Sequence, residues 1–110
     1  MTDRLDTLRM ELRRGVLVLA VLAALRDEEH GYALRKRLAD NAIDVEEGTL
    51  YPLIRRLERH GLLESRWSDT GGRKRRFYTI SSDGRSRLAE LRREWSTLSR
   101  SLGKLLEEGS

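Results

Sequence analysis

The sequence has no cysteine, which excludes a disulfide framework and a thiolate metal site. Its two histidines, His30 and His60, stand near different helix ends, and a metal centre would need further ligands that the sequence does not supply. It also lacks a nucleophile–base–orienter set, a phosphate-cradling glycine loop and paired carboxylates in a plausible cleft, so catalysis is not expected and no cofactor is called for. Long apolar runs are missing too. The longest, VLVLAVLAAL at residues 16–25, is about half a membrane span. The segment before it is of mixed charge and no small-residue cleavage site follows, unlike a signal peptide. These absences leave a soluble, non-enzymatic protein of the cytoplasm, with no membrane partner. Arginine outnumbers lysine 19 to 3, which suits a GC-rich bacterial source.

What the chain does have is charge. Charged residues make up 36% of its 110 residues and hydrophobic ones 38%. This balance suits one domain with a thin core, whose remaining apolar surface is buried in an oligomer. The charge is unevenly spread. Residues 1–47 carry 8 basic and 10 acidic side chains, residues 48–76 carry 8 and 3, and residues 77–110 carry 6 and 5. The net +4 therefore sits in the middle third, where an arginine-dominated excess favours an anionic partner such as a phosphate backbone.

Periodicity organises the chain. Residues 4–26 read as a helix, with Leu5, Leu8 and Leu12 on one stripe. GYALRKRLAD (31–40) reads as a short second helix with Leu34 and Leu38 inward. In EGTLYPLIRRLERHGLL, Leu50, Leu53, Ile54 and Leu57 recur at i, i+3, i+4 and i+7, the spacing of one buried face. This third helix is expected to start near Gly48 or Thr49, with Pro52 in or beside its first turn, and to end at a Gly61 cap. LLESRWS and RRFYTIS then alternate as strands joined by SDTGGRK. Ser81 is a plausible N-cap for a last helix that runs almost to the end.

Three helices, a basic hairpin and a long helix describe a winged helix-turn-helix, a mainly α fold with a small β-hairpin. Residues 1–80 form the expected DNA-binding domain, with helix 4–26 contributing to a dimer. Residues 81–110 form the expected dimerisation helix. On the third helix Gly48, Pro52, Arg55 and Arg59 lie opposite the leucine face, flanked by Tyr51 and Arg56, the geometry of a recognition helix in a major groove. The expected DNA-binding residues are Thr49, Tyr51, Pro52, Arg55, Arg56 and Arg59 on this helix. The hairpin adds Gly71, Gly72, Arg73, Lys74 and Arg75, although strand alternation prevents all of its basic residues from touching one duplex. Phe77 and Tyr78 read as packing residues, Tyr32 as packing or as a phosphate contact through its hydroxyl, and Trp67 as a lid on the small core.

The segments LRRGVLVLAVLAAL, HGYALRKRL, EGTLYPLIRRLERHGLLES, GGRKRRFYTIS and SSDGRSRLAEL together resemble the PadR family of bacterial transcriptional regulators, over most of residues 12–91. Lys74 departs from the proline that often follows GGR in that family. The single last helix is similar to the compact subfamily. The resemblance implies double-stranded DNA as partner, at an inverted-repeat operator, and gives Tyr51 the leading contact from its helix.

In the last helix Leu88, Leu91, Trp95, Leu98, Leu102 and Leu105 alternate by 3 and 4, an a/d seam. A small domain cannot cover that seam alone, so a homodimer is expected, with Leu5, Leu8 and Leu12 packing on the partner's last helix. The resemblance adds a small-molecule effector, a flat aromatic compound for which Trp95 would be the stacking plate. The resulting expectation is a homodimeric repressor that such an effector releases. The competing class is a winged-helix dimer that binds a ligand or a protein and does not act on DNA.

Overall fold

A computed structural model describes residues 4–108, the Thr70 side chain excepted. The elements are α1 (Arg4–Ala24), β1 (Glu29–His30), α2 (Gly31–Asp40), α3 (Glu47–Arg59), β2 (Leu63–Thr70), β3 (Arg73–Ile80) and α4 (Ser82–Glu108). The strands form an antiparallel sheet of order β1-β3-β2. The fold is the expected winged helix-turn-helix, with one strand that the sequence reading did not contain. In β1, Glu29 pairs with Tyr78 and His30 with Phe77. Two residues are too few for alternation to register.

The core gathers Leu17, Val21, Leu22 and Leu25 from the end of α1, Leu34 and Leu38 from α2, and Leu50, Leu53, Ile54 and Leu57 from α3. Leu63 and Ile80 close it from the sheet. The helical spacing of α3 thus becomes its buried face, since residues 3 and 4 apart lie on one side of the cylinder. Arg37 on α2 donates to the Ala24 carbonyl at 3.0 Å, placing a cation at the C-terminal end of α1 where the helix dipole favours it.

Both helices of the helix-turn-helix end in a Schellman motif. After α3, the Leu62 N–H reaches the Leu57 carbonyl and the Gly61 N–H the Glu58 carbonyl, each at 2.9 Å. Gly61 takes φ +77°, as expected of a glycine cap. After α2 the same pair of bonds runs from Ile43 to Leu38 and from Ala42 to Ala39, but the left-handed residue is Ala42, at φ 63°. A Cβ in that conformation crowds the backbone and costs roughly 1–2 kcal/mol.

The start of α3 lies earlier than expected. Its N-cap is Glu46, whose side chain makes no capping bond, and Arg35 instead pins the approach by donating to the Val45 carbonyl at 3.1 Å. Pro52 is consequently the sixth helical residue, beyond the first turn, and leaves the Gly48 carbonyl without its usual N–H partner. Gly48 and Pro52 are both exposed, so water can satisfy that carbonyl. Helix α1 ends two residues before the expected Arg26. The hairpin strands are longer than LLESRWS and RRFYTIS, and run to a two-residue turn.

Helix α4 begins as expected. The Ser81 hydroxyl accepts the Gly84 N–H at 2.9 Å and donates to the Gly61 carbonyl at 2.6 Å. Gly84 is the only buried residue of the helix, wedged against the Leu62 carbonyl and the Ile80 side chain so closely that a Cβ would not fit. Beyond this anchor α4 projects away. Leu88 is half-buried against the core, whereas Leu91, Trp95, Leu98, Leu102 and Leu105 are exposed, as are Leu5, Leu8 and Leu12 on α1.

Candidate nucleic-acid interface

Burial of the leucine face fixes what α3 shows to water. Thr49, Pro52, Arg55, Arg56 and Arg59 are exposed and Tyr51 is half-buried. The Tyr51 ring lies against Gly31 at the start of α2, where an added Cβ would come within 2.8 Å of the ring. Glycine at 31 is therefore what lets α2 and α3 approach at this point.

The hairpin carries the other expected residues. Gly71 and Gly72 have φ values of +60° and +76°, the conformation of a type I′ turn, whose twist matches that of the strands. Arg73 and Lys74 follow on the exposed tip, while Arg75 and Arg76 are half-buried. Arg76 turns back to α3, where both Glu58 carboxylate oxygens accept from its Nη2 at 3.0 Å. Ser65 accepts from Arg76 Nε at 3.0 Å and donates to Glu58. This network ties the wing to α3 and engages Glu58, an acid on the same helix as the three arginines. Among the described residues, no acidic side chain forms an ion pair with Arg55, Arg56, Arg59, Arg73 or Lys74. Their charge is available to an outside partner.

Two residues are placed differently from expectation. Trp67 is no lid on the core: it is 58% exposed, paired across the hairpin with Arg76, whose guanidinium lies 5.7 Å from its ring. Tyr32 is 65% exposed and stacks loosely on His30 with centroids 6.4 Å apart. The Trp67–Arg76 pairing follows from a two-residue turn at Gly71-Gly72, and a seven-residue connection conceals it. Phe77 and Tyr78 do pack, Tyr78 against the core. Burial pushes the Tyr78 phenol above its ordinary range, partly offset by the Arg76 charge. On the outer edge Glu28 accepts from Arg66 at 2.7 Å, and this bond holds its carboxyl below the usual range.

Between the start of α2, α3 and the wing lies an open cleft of about 510 Å³, lined by Tyr32, Tyr51, Arg55, Trp67 and Arg73 among others. Aromatic faces and unpaired guanidinium groups on a helix–wing cleft suit a phosphate backbone. Among the described residues, no group of three or more His, Cys, Asp or Glu side chains is placed to hold a metal ion.

The same architecture recurs in known proteins. The model of the transcriptional regulator PadR-like family matches residues 18–90. The chain belongs to the PadR-like family. A PadR family transcriptional regulator from Eggerthella lenta is 47% identical, with a TM-score of 0.87 over 94% of this chain and 92% of that one. A PadR-like transcriptional regulator from Bacillus cereus is 30% identical, with a TM-score of 0.78 over 87% and 96% of the two chains. A transcriptional regulator of Mycobacterium tuberculosis is 40% identical over 91 residues, 82% of this chain and 85% of that protein. This PadR-like chain is therefore a transcriptional regulator with DNA as its partner, and its relatives are regulators and not enzymes. Among the described residues, no helix of the regulator is long and apolar enough to cross a membrane.

Proposed function

We propose that the protein is a homodimeric repressor of the cytoplasm, with residues 1–80 as its DNA-binding unit and 81–110 as its dimerisation helix. The observation that carries this reading is the two-sided character of α3. Its leucine face is sealed in the core, and its opposite face offers Arg55, Arg56 and Arg59 without acidic partners among the described residues. Thr49, Tyr51 and Pro52 lead that face toward base edges. Gly71 and Gly72 bring Arg73 and Lys74 close to a neighbouring groove, with Arg75 behind them.

Two recognition helices related by a two-fold axis read an inverted repeat, with half-site centres about 10 bp apart or a multiple of that. The exposed leucines of α1 and α4 supply the dimer seam. Where the two helices meet, a groove of about 800 Å³ is lined by Leu19, Ala20, Leu88, Ala89 and Trp95 together with arginines such as Arg92. A planar aromatic effector stacked on Trp95 would alter the angle between subunits and release the operator.

Binding is tested by fluorescence anisotropy on an inverted repeat from DNA beside the protein's own gene. Affinity should fall steeply with salt, each neutralised phosphate adding roughly −0.9 to the log–log slope. Arg59→Ala and Arg73→Ala should each remove about one unit of that slope, and Tyr51→Ala should hurt the repeat more than random DNA. Equal affinity for random duplex, or a salt-independent affinity, would refute the reading.

A further inference from the structure

His30 has more hydrogens around it than its ring can accept. Its Nδ1 caps α2 by accepting the Ala33 N–H at 3.2 Å, and its Nε2 lies 3.0 Å from Arg75 Nη1. A neutral imidazole carries one N–H and one lone pair, and a guanidinium only donates. Whichever tautomer is chosen, one of the two contacts sets N–H against N–H. Protonating the ring would add a second conflict. The Ala33 amide is fixed at the first turn of α2 and loses its acceptor if the surplus hydrogen sits on Nδ1. The hydrogen therefore belongs on Nε2, and two donors converge without an acceptor between them.

The surroundings hold that arrangement in place. Pairing of β1 with β3 sets His30 beside Phe77, whose ring meets the imidazole edge-on at 5.5 Å. Three acids of the surrounding elements lie against other arginines, although the Glu29 Oε2 is buried without a hydrogen bond. Glu28 is bonded to Arg66, Glu58 to Arg76, and Glu29 lies 3.8 Å from Arg37. Among the described residues, none forms an ion pair with Arg75. His30 and Arg75 both line the cleft that contains Arg55 and Arg73, between the recognition helix and the wing tip.

We propose that His30 Nε2–H and the Arg75 guanidinium together hold one phosphate oxygen of the DNA backbone. An anionic oxygen has lone pairs for both donors, so it removes the conflict that the free protein retains. It also meets the positive end of the α2 dipole. The site rests on the DNA-binding reading above and deepens it, adding a contact from the start of α2 that turns Arg75 from a wing residue into half of a clamp.

The test uses His30→Asn, which keeps an N-cap acceptor but loses the Nε2–H, and Arg75→Gln, which loses the charge. Affinity for a random-sequence duplex, measured by anisotropy over a salt series, should fall roughly ten-fold in each variant, as for loss of a charge-assisted hydrogen bond. Arg75→Gln should also lower the salt slope by about one unit. His30→Asn should leave the slope unchanged, because the ring is neutral in the clamp. The double variant should lose less than the product of the single losses, since the two donors share one oxygen. Wild-type affinity in both single variants, independent losses in the double one, or losses that track a lowered unfolding midpoint would overturn the clamp. Arg59→Ala in the same assay separates the two readings: if it weakens binding while the clamp variants do not, only the clamp falls, and if none of them weakens binding, the DNA-binding face falls with it. The ¹⁵N resonances of the His30 ring should move on adding duplex but not on adding inorganic phosphate at equal phosphate concentration and ionic strength. An equal response to inorganic phosphate would make this a free-anion site and overturn the assignment to DNA.

Discussion

Helices α3 and α4 carry apolar residues at the same spacing and meet opposite fates. Leu50, Leu53, Ile54 and Leu57 on α3 are at most 5% exposed. Leu91, Trp95, Leu98, Leu102 and Leu105 on α4 range from 38% to 67%. Periodicity states which face wants to be buried, and it does not state by what. The α3 stripe finds α1, α2 and the sheet within its own chain. Beyond Leu88 the α4 stripe is left exposed, as are Leu5, Leu8 and Leu12. An apolar seam of that length, left open at the end of a folded domain, is what the proposed dimer would bury.

The largest expected effect breaks the comparison from the α4 side. Leu98→Glu places a charge on the seam. If two copies face each other there, each unpaired carboxylate loses solvation worth several kcal/mol, and sedimentation should show a monomer that no longer binds its inverted repeat. A dimer of native mass would mean that the seam is not the interface. Next comes Leu50→Ala, in the sealed stripe, which should cost about 2–5 kcal/mol as a cavity that the packed core fills only partly. Its signature is different: Leu50→Ala stays a dimer whose unfolding midpoint is lowered at every protein concentration, whereas the monomeric seam variant should lose the concentration dependence of the wild-type midpoint.

Two smaller changes sharpen the contrast by stabilising one region at a time. Ala42→Gly relieves the left-handed backbone between α2 and α3, and the relief exceeds the extra unfolded-chain entropy of glycine, leaving a gain of up to roughly 1 kcal/mol. Chemical denaturation of the variant should show a higher midpoint with an unchanged slope. Gly103→Ala acts in the projecting part of α4, where nothing lies within 4 Å of an added Cβ in the single chain. It should add roughly 0.5–1 kcal/mol through helix propensity. A lowered midpoint there would instead show that the partner's backbone packs against Gly103.

Much of the candidate interface was legible because α3 is strongly amphipathic: once four apolar positions define the inside, the arginines have only the outside left. The Gly61 and Ser81 caps were legible for a similar reason, since local hydrogen bonding selects those residue types. What stayed hidden depended on pairing across the chain. The strand at Glu29–His30 exists only because β3 lies beside it. Trp67 is exposed because a two-residue turn sets it opposite Arg76, and His30 meets Arg75 only through the β1–β3 ladder.

The sequence by itself therefore determined the order of elements, the inward face of each helix and the location of the positive charge, all of which follow from spacing and residue type along a short stretch. Tertiary structure alone decided which charges remain free. Arg76 and Arg59 look equivalent in a charge count, yet Arg76 is bonded to Glu58 and Arg59 is exposed without an acidic partner among the described residues. The reason is physical: pairing depends on distances between residues far apart in the chain, and those distances are set only when the hairpin folds back onto α3.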